Sequence, residues 1–256
     1  MKTFPEPSGS TAVLSTTGSA DASIIHLAMA FDEAYVSPFT VLLTSIFHNN
    51  KNNKLHFHVI TSGVGQATRN DLAAYCSRSN SEISFYSVTP DLLNGLVLHP
   101  SNHLSIASYY RLFFANLVPK TVSKLLYLDT DMLVLGDLAN MYSIDLGQYA
   151  VGAVAELDNP LIRTDLGFTE PDVYFNSGVL LINVQEWNKQ KITQRAVQFT
   201  VENPEKIIWA DQDALNGILI GDYYRLPPKY NILHLNVPRG LSRQGYEDFI
   251  SDKVIP

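Results

Sequence analysis

Two aspartates one residue apart, Asp129 and Asp131, follow an apolar run in Leu125 to Leu133 (LLYLDTDML). An extended chain turns alternate side chains to one side, so a strand continued through this pair brings both carboxylates together. Two such carboxylates repel each other unless a cation lies between them. Hard oxygen donors of this kind suit Mn²⁺ or Mg²⁺, completed by water and a phosphate-bearing ligand. The carboxyl end of a strand is also where open α/β sheets bind ligands. In the competing reading, Asp129 opens a turn and Asp131 caps a neighbouring segment. The apolar strand in front implies burial, and two unpaired buried carboxylates are costly, which favours the metal.

The elements that must position this pair alternate between strand and helix. Ile24 to Phe31 (IIHLAMAF) is short and apolar, as a buried strand is. Ser37 to Phe47 places Phe39, Leu42, Leu43 and Ile46 at helical spacing. Leu55 to Ile60 sets Leu55, Phe57 and Val59 on one face and His56 and His58 on the other. Gln66 to Ser77 reads as a helix and Ile83 to Val88 as a third strand, a pattern of parallel βαβ units. Further on, Ser105 to Leu117, Gln185 to Val201 and Asp211 to Ile220 read as helices. Lys124 to Val134, Tyr149 to Ala155 and Gly178 to Val184 read as strands. The fold expected is α/β, with one domain over 24–256 behind a flexible, Ser/Thr-rich lead-in at 1–23.

Composition narrows the partners. The 256 residues are 46% hydrophobic and carry a net charge of −7, which argues against nucleic acid and offers no basic patch for membranes. Cys76 is the only cysteine, so a disulfide framework within the chain is excluded and a reducing, cytoplasmic setting is expected. No apolar run is long enough to span a bilayer, and the first residues do not read as a signal peptide.

Five segments in order carry a resemblance. They are AFDEAY at Ala30 to Tyr35, SIASYYRL at Ser105 to Leu112, LYLDTDMLV at Leu126 to Val134, YFNSGVLLINVQEW at Tyr174 to Trp187, and ADQDALNG at Ala210 to Gly217. Together they resemble glycosyltransferase family eight, which includes bacterial lipopolysaccharide α-galactosyl- and α-glucosyltransferases and glycogenin. The resemblance implies a GT-A fold, a Rossmann-like mixed sheet flanked by helices. It also implies a UDP-hexose donor, a saccharide or glycoconjugate acceptor, Mn²⁺ and retention of anomeric configuration.

Carried over residue by residue, Asp129 and Asp131 hold the metal. Ala30 lets the nucleotide approach the backbone, Asp32 bonds the uracil edge and Tyr35 stacks on its ring. The bland alternative for Tyr35 is packing on the following helix. The family often has Asn where this chain has Ala34, so one polar contact is expected to be missing. Arg111 lies among aromatic residues and needs an anion, either the donor or a buried Asp or Glu. Asn176 faces the donor sugar or satisfies its own turn, and Trp187 is core. Asp211 and Gln212 lie beside the anomeric centre as electrostatic stabiliser or nucleophile, unless Asp211 only caps its helix. Glu156 matches weakly an acidic residue near the sugar, and His103 is as readily a loop residue.

Two other classes compete. Haloacid-dehalogenase-like phosphatases also place D-x-D after a strand, but usually the first, and continue to Thr or Val where this chain has Leu133. An inert nucleotide-sugar binder would bind UDP without transfer. Family members carry a later H-x-x-G-x-x-K-P-W segment that supplies a third metal ligand and a phosphate-binding Lys, and any peripheral membrane contact would run through that region. The segment is absent here, and His234 reads as an ordinary strand residue. The expectation is a truncated or short member with weakened metal and UDP binding.

Overall fold

A computed structural model describes residues 24–100, 104–156, 163–169 and 174–232, with 240, 242, 244 and 245. The lead-in at 1–23, His103, His234 and the C-terminal region where the later segment would stand lie outside the described residues.

The first half is two successive βαβ steps. β1 (Ile24–Asp32), α1 (Val36–Asn49), β2 (Lys54–Ser62), α2 (Gln66–Arg78) and β3 (Glu82–Tyr86) follow one another, and β1–β2 and β2–β3 pair in parallel. Then come α3 (Pro90–Leu93), a 3₁₀ segment at Ile106–Phe113, α4 (Phe114–Leu117), β4 (Lys124–Leu128), α5 (Ala139–Tyr142) and β5 (Val151–Ala155). β6 (Phe175–Asn183), α6 (Val184–Lys189), α7 (Ile192–Glu202), α8 (Asp211–Leu219) and the short β7 (Tyr224–Arg225) complete the order. The strands make one seven-stranded sheet in the order β3-β2-β1-β4-β6-β5-β7. β4 is parallel to β1 but antiparallel to β6.

Period-two alternation explains the two layers. Leu27, Met29 and Phe31 of β1 pack on Phe39, Leu42, Leu43 and Ile46 of α1. Ala28 and Ala30 turn to the other face, where their small side chains admit Tyr109, Tyr110 and Phe113 of the 3₁₀ segment. Trp187 is fully buried on that face and donates Nε1–H to Thr193 Oγ1 at 2.9 Å, so its core reading holds. No helix among the described residues is long and apolar enough to cross a membrane.

Four elements differ from the sequence reading. The helix expected over Ser105 to Leu117 is mostly 3₁₀, opened by Ser105 Oγ accepting Ala107 N–H. The run Lys124 to Val134 stays a strand only to Leu128, where its ladder with β6 ends at Val179. The last rung is Asp129 N–H to Gly178 O at 2.8 Å, after which Thr130 and Asp131 turn away. Asn176 lies inside β6, as partner of Val154 across a bulge, and its Oδ1 still accepts the Gly178 N–H two residues on at 2.9 Å. The helix expected over Gln185 to Val201 breaks at Lys191, whose φ of 55° is left-handed.

Candidate active site

β1 has β2 and β3 on one side and β4 on the other, so the winding of the sheet reverses between β1 and β4. Ligands of open α/β sheets bind outside the carboxyl ends of strands at such a reversal. Leu27 and Ala28 pair with Leu126 and Tyr127, which brings the strand ends bearing Ala30, Asp32 and Asp129 to this one edge. The D-x-D therefore ends the fourth strand, not the first as in the phosphatase reading.

At the end of β1, Ala30 is buried on the aromatic face. Asp32 leaves the sheet and caps the next turn, its Oδ1 accepting Ala34 N–H at 3.1 Å. Tyr35 follows on that turn and remains 42% exposed, so packing against α1 does not account for it.

Asp129 is half-buried and held from two directions. Its Oδ1 accepts Tyr127 O–H at 2.8 Å and lies 3.0 Å from Arg111 Nη2. Its Oδ2 faces β6, where a Cβ on Gly178 would stand only 2.9 Å away. The absence of that side chain is what lets the carboxylate lie against the strand. Asp131 is exposed on the turn beyond. This donor set, one anchored carboxylate with an oxygen left over and one solvent-facing carboxylate, fits a hard divalent ion completed by water or phosphate oxygens. The extended strand expected through both aspartates is corrected: β4 ends at Leu128, and Asp131 lies on the turn that follows Asp129.

Arg111 comes from the 3₁₀ segment and is buried among protein partners. Nε lies 2.9 Å from Asp211 Oδ2, Nη2 reaches Asp129, and Nη1 donates to Ser177 O at 2.6 Å and Ser177 Oγ at 3.1 Å. Its guanidinium also lies over the Tyr127 ring, 4.7 Å from the centroid. Burial disfavours its charge, but Asp129 and Asp211 outweigh burial and keep it protonated. The buried ion pair offered as the alternative for Arg111 is present, with Asp129 and Asp211 as its anions. One cation serves two anions, and burial pushes the Asp211 carboxyl up to about 7 despite the opposing pull of Arg111.

Asp211 is the first residue of α8 and does not cap it. The cap position is Ala210, with φ 48° and ψ −119°, and it makes no side-chain cap bond. Asp211 instead accepts Ser177 Oγ–H at 2.9 Å and pairs with Arg111. Gln212 accepts Ser177 N–H on Oε1 at 3.0 Å. Its Nε2 donates to Glu156 Oε1 at 3.2 Å and meets Tyr174 Oη at 3.1 Å. Asn176 donates to the same Glu156 oxygen at 3.2 Å and accepts Asn231 Nδ2–H at 2.8 Å. So Asn176, Gln212 and Glu156 meet at one place beside Ser177. Ser177 joins them to Arg111 through its carbonyl and Oγ, and to Asp211 through Oγ.

Sequence reasoning missed three contributors. Tyr127 lies two residues before Asp129 and so shares its face, a signal that was legible. Ser177 stood inside a quoted segment, but nothing in its surroundings told that it joins Arg111, Asp211 and Gln212. Asp213 is fully buried and accepts Ile208 and Trp209 N–H, both at 2.6 Å, Tyr174 O–H at 2.7 Å, and Arg163 Nη1–H. It fixes the chain entering α8, where the left-handed Ala210 costs on the order of 1–3 kcal/mol.

The family model described as glycosyl transferase family 8 matches residues 26–255. The chain is 28% identical over 235 residues to general stress protein A of Bacillus subtilis (strain 168), covering 88% of this chain and 82% of that protein. It is 26% identical over 237 residues to a lipopolysaccharide 1,2-glucosyltransferase of Escherichia coli (strain K12), covering 90% and 69%. Among solved structures, the galactosyltransferase LgtC in complex with donor and acceptor sugar analogues matches with a TM-score of 0.76 at 27% identity, covering 88% and 83%. An active-site mutant of LgtC with Gln replaced by Glu matches with the same TM-score at 26% identity and the same coverage.

Proposed function

Because the chain belongs to glycosyl transferase family 8 and has a GT-A fold, we propose that it transfers a hexose from a UDP-sugar to a saccharide or glycoconjugate acceptor with retention of configuration. The observation that carries the reading is the Arg111 bridge, which couples the candidate metal ligand Asp129 to Asp211 at the start of α8. Asp32 and the exposed face of Tyr35 seat the uracil, with Ala30 behind them. Asp129 and Asp131 hold Mn²⁺ or Mg²⁺, which supplies charge stabilisation to the leaving diphosphate. Arg111 holds Asp129 and Asp211 in place. Asn176, Gln212 and Glu156 line the sugar side. Asp211 and Gln212 present oxygens toward the developing oxocarbenium charge.

We read residues 24–256 as one catalytic domain acting in the cytoplasm. The test is UDP release across UDP-Glc, UDP-Gal, UDP-GlcNAc and UDP-GalNAc, with and without Mn²⁺. Release from one donor, dependent on Mn²⁺ and reduced at least 100-fold in Asp129→Asn and in Asp131→Asn, is expected. UDP-dependent thermal stabilisation without release from any donor would favour the inert binder.

A further inference from the structure

Three histidines lie together on the aromatic face of the sheet, at the end opposite the candidate active site. His26 of β1 is the register partner of His56 on β2, and Ala28 is the partner of His58. The small Ala28 leaves room for the rings. His26 Nδ1 and His58 Nε2 are 2.9 Å apart, and the His56 and His58 rings stack with centroids 4.3 Å apart. One ring nitrogen from each lies within 4.8 Å of the other two. Along β1, Asp32 lies six positions beyond His26, roughly 20 Å of strand.

From this juxtaposition we propose that His26, His56 and His58 form a second metal site, for a borderline divalent ion such as Zn²⁺, distinct from the carboxylate pair. Imidazole nitrogens suit Zn²⁺, Cu²⁺ and Ni²⁺, whereas a carboxylate pair suits Mg²⁺ and Mn²⁺. Tetrahedral Zn–N bonds of about 2.0–2.1 Å put ligand nitrogens about 3.3 Å apart, so shifts of under about 1 Å per ring close the site.

The surrounding bonds have the form of an outer shell. His58 Nδ1 bonds Tyr86 Oη at 2.8 Å, and His56 Nε2 bonds Ser84 Oγ at 2.9 Å, which fixes both rings from behind. Glu82, the register partner of His56, brings Oε2 within 3.7 Å of His56 Nδ1 and offers a fourth donor. His58 is fully buried, while His26 and His56 are half-buried and give an ion its way in. Burial also holds His26 and His56 down at about 4, so all three rings are neutral ligands at pH 7. A buried polar imidazole on a sheet face has a cost that a bound ion would offset. The ion would tie β1 to β2, and through Glu82 to β3.

The experiment titrates the tag-free full chain, carrying Asp129→Asn and Asp131→Asn to silence the carboxylate pair, with Co²⁺ alone and then Zn²⁺ alone. The expected result is one equivalent of Co²⁺ with the intense visible bands of tetrahedral coordination, displaced by Zn²⁺. Adding His26→Gln and His56→Gln should weaken Co²⁺ binding at least 100-fold, with the far-ultraviolet circular dichroism unchanged. His56→Gln alone, at a partly exposed position, serves if the pair does not fold. Absence of tetrahedral bands, or equal affinity with and without the histidines, overturns the site.

Discussion

Arg111 and Asp211 form a buried ion pair at 2.9 Å, and the same guanidinium reaches Asp129 at 3.0 Å. Removing a partner from such an arrangement leaves uncompensated buried charge, which costs about 3–5 kcal/mol. Arg111→Met should therefore lower unfolding stability in urea by about that amount and abolish UDP release. Arg111→Lys keeps the charge but loses the fork that spans both carboxylates. It should retain most of the stability and lose turnover by at least tenfold. Equal turnover in Arg111→Lys and the parent would remove the bridge from the site.

A smaller change probes the contact between β4 and β6. In Gly178→Ala, the new Cβ would meet Asp129 Oδ2 and Asn176 Oδ1, each at 2.9 Å, both on site residues. The strand backbone is fixed by its ladder, so the carboxylate must move. Steady-state UDP release should fall at least tenfold, and the Mn²⁺ concentration giving half-maximal rate should rise. An unchanged Mn²⁺ requirement would show that Asp129 tolerates displacement.

Asp213 touches neither Asp129 nor Arg111, yet it sets where α8 begins. Asp213→Asn keeps the shape but turns a paired anion into an amide facing two backbone N–H donors and Arg163. A stability loss of about 3–5 kcal/mol is expected in urea, as for other broken buried pairs. If its role is to position Asp211 and Gln212, kcat should fall while KM for the donor stays within about threefold. A variant with unaltered kcat at a temperature where it is folded would make Asp213 purely structural.

Lys191 offers the opposite direction. It is exposed, and its φ of 55° lies in the left-handed region where only glycine is unstrained. Lys191→Gly should stabilise by about 0.5–1 kcal/mol, because relief of strain outweighs the added freedom of the unfolded chain. UDP release should not change. Differential scanning calorimetry checks the sign directly, and a fall in Tm would show that the αα joint tolerates lysine without strain.

Much of the first half was legible because period and spacing decide it. Ile24 to Phe31 and Leu55 to Ile60 are strands within a residue or two of the reading, since nothing competes with burial on both faces. The candidate site residues also stood in recognisable segments. What the sequence did not carry was who satisfies whom. Arg111 in an aromatic run needs an anion, but whether that is a ligand or Asp129 and Asp211 depends on contacts across the fold. Asn176 beside Ser177-Gly178 looks like a turn by composition, and its side chain does bond Gly178 N–H locally, yet pairing with Val154 of β5 keeps the backbone extended. Likewise His58 alternates away from the apolar side of β2, which by itself suggests a wetter face. It is fully buried instead, against His56 of its own strand and His26 and Tyr86 of the neighbouring strands.

Ser177 meets Arg111 from 66 positions earlier in the chain and Asp211 from 34 positions later. Such an arrangement exists only after both long loops have closed, so it is absent from any partly folded form that lacks either contact. Turnover then reports the population of fully folded molecules with little contribution from intermediates. Loss of activity on heating or in denaturant should coincide with the global transition and not precede it.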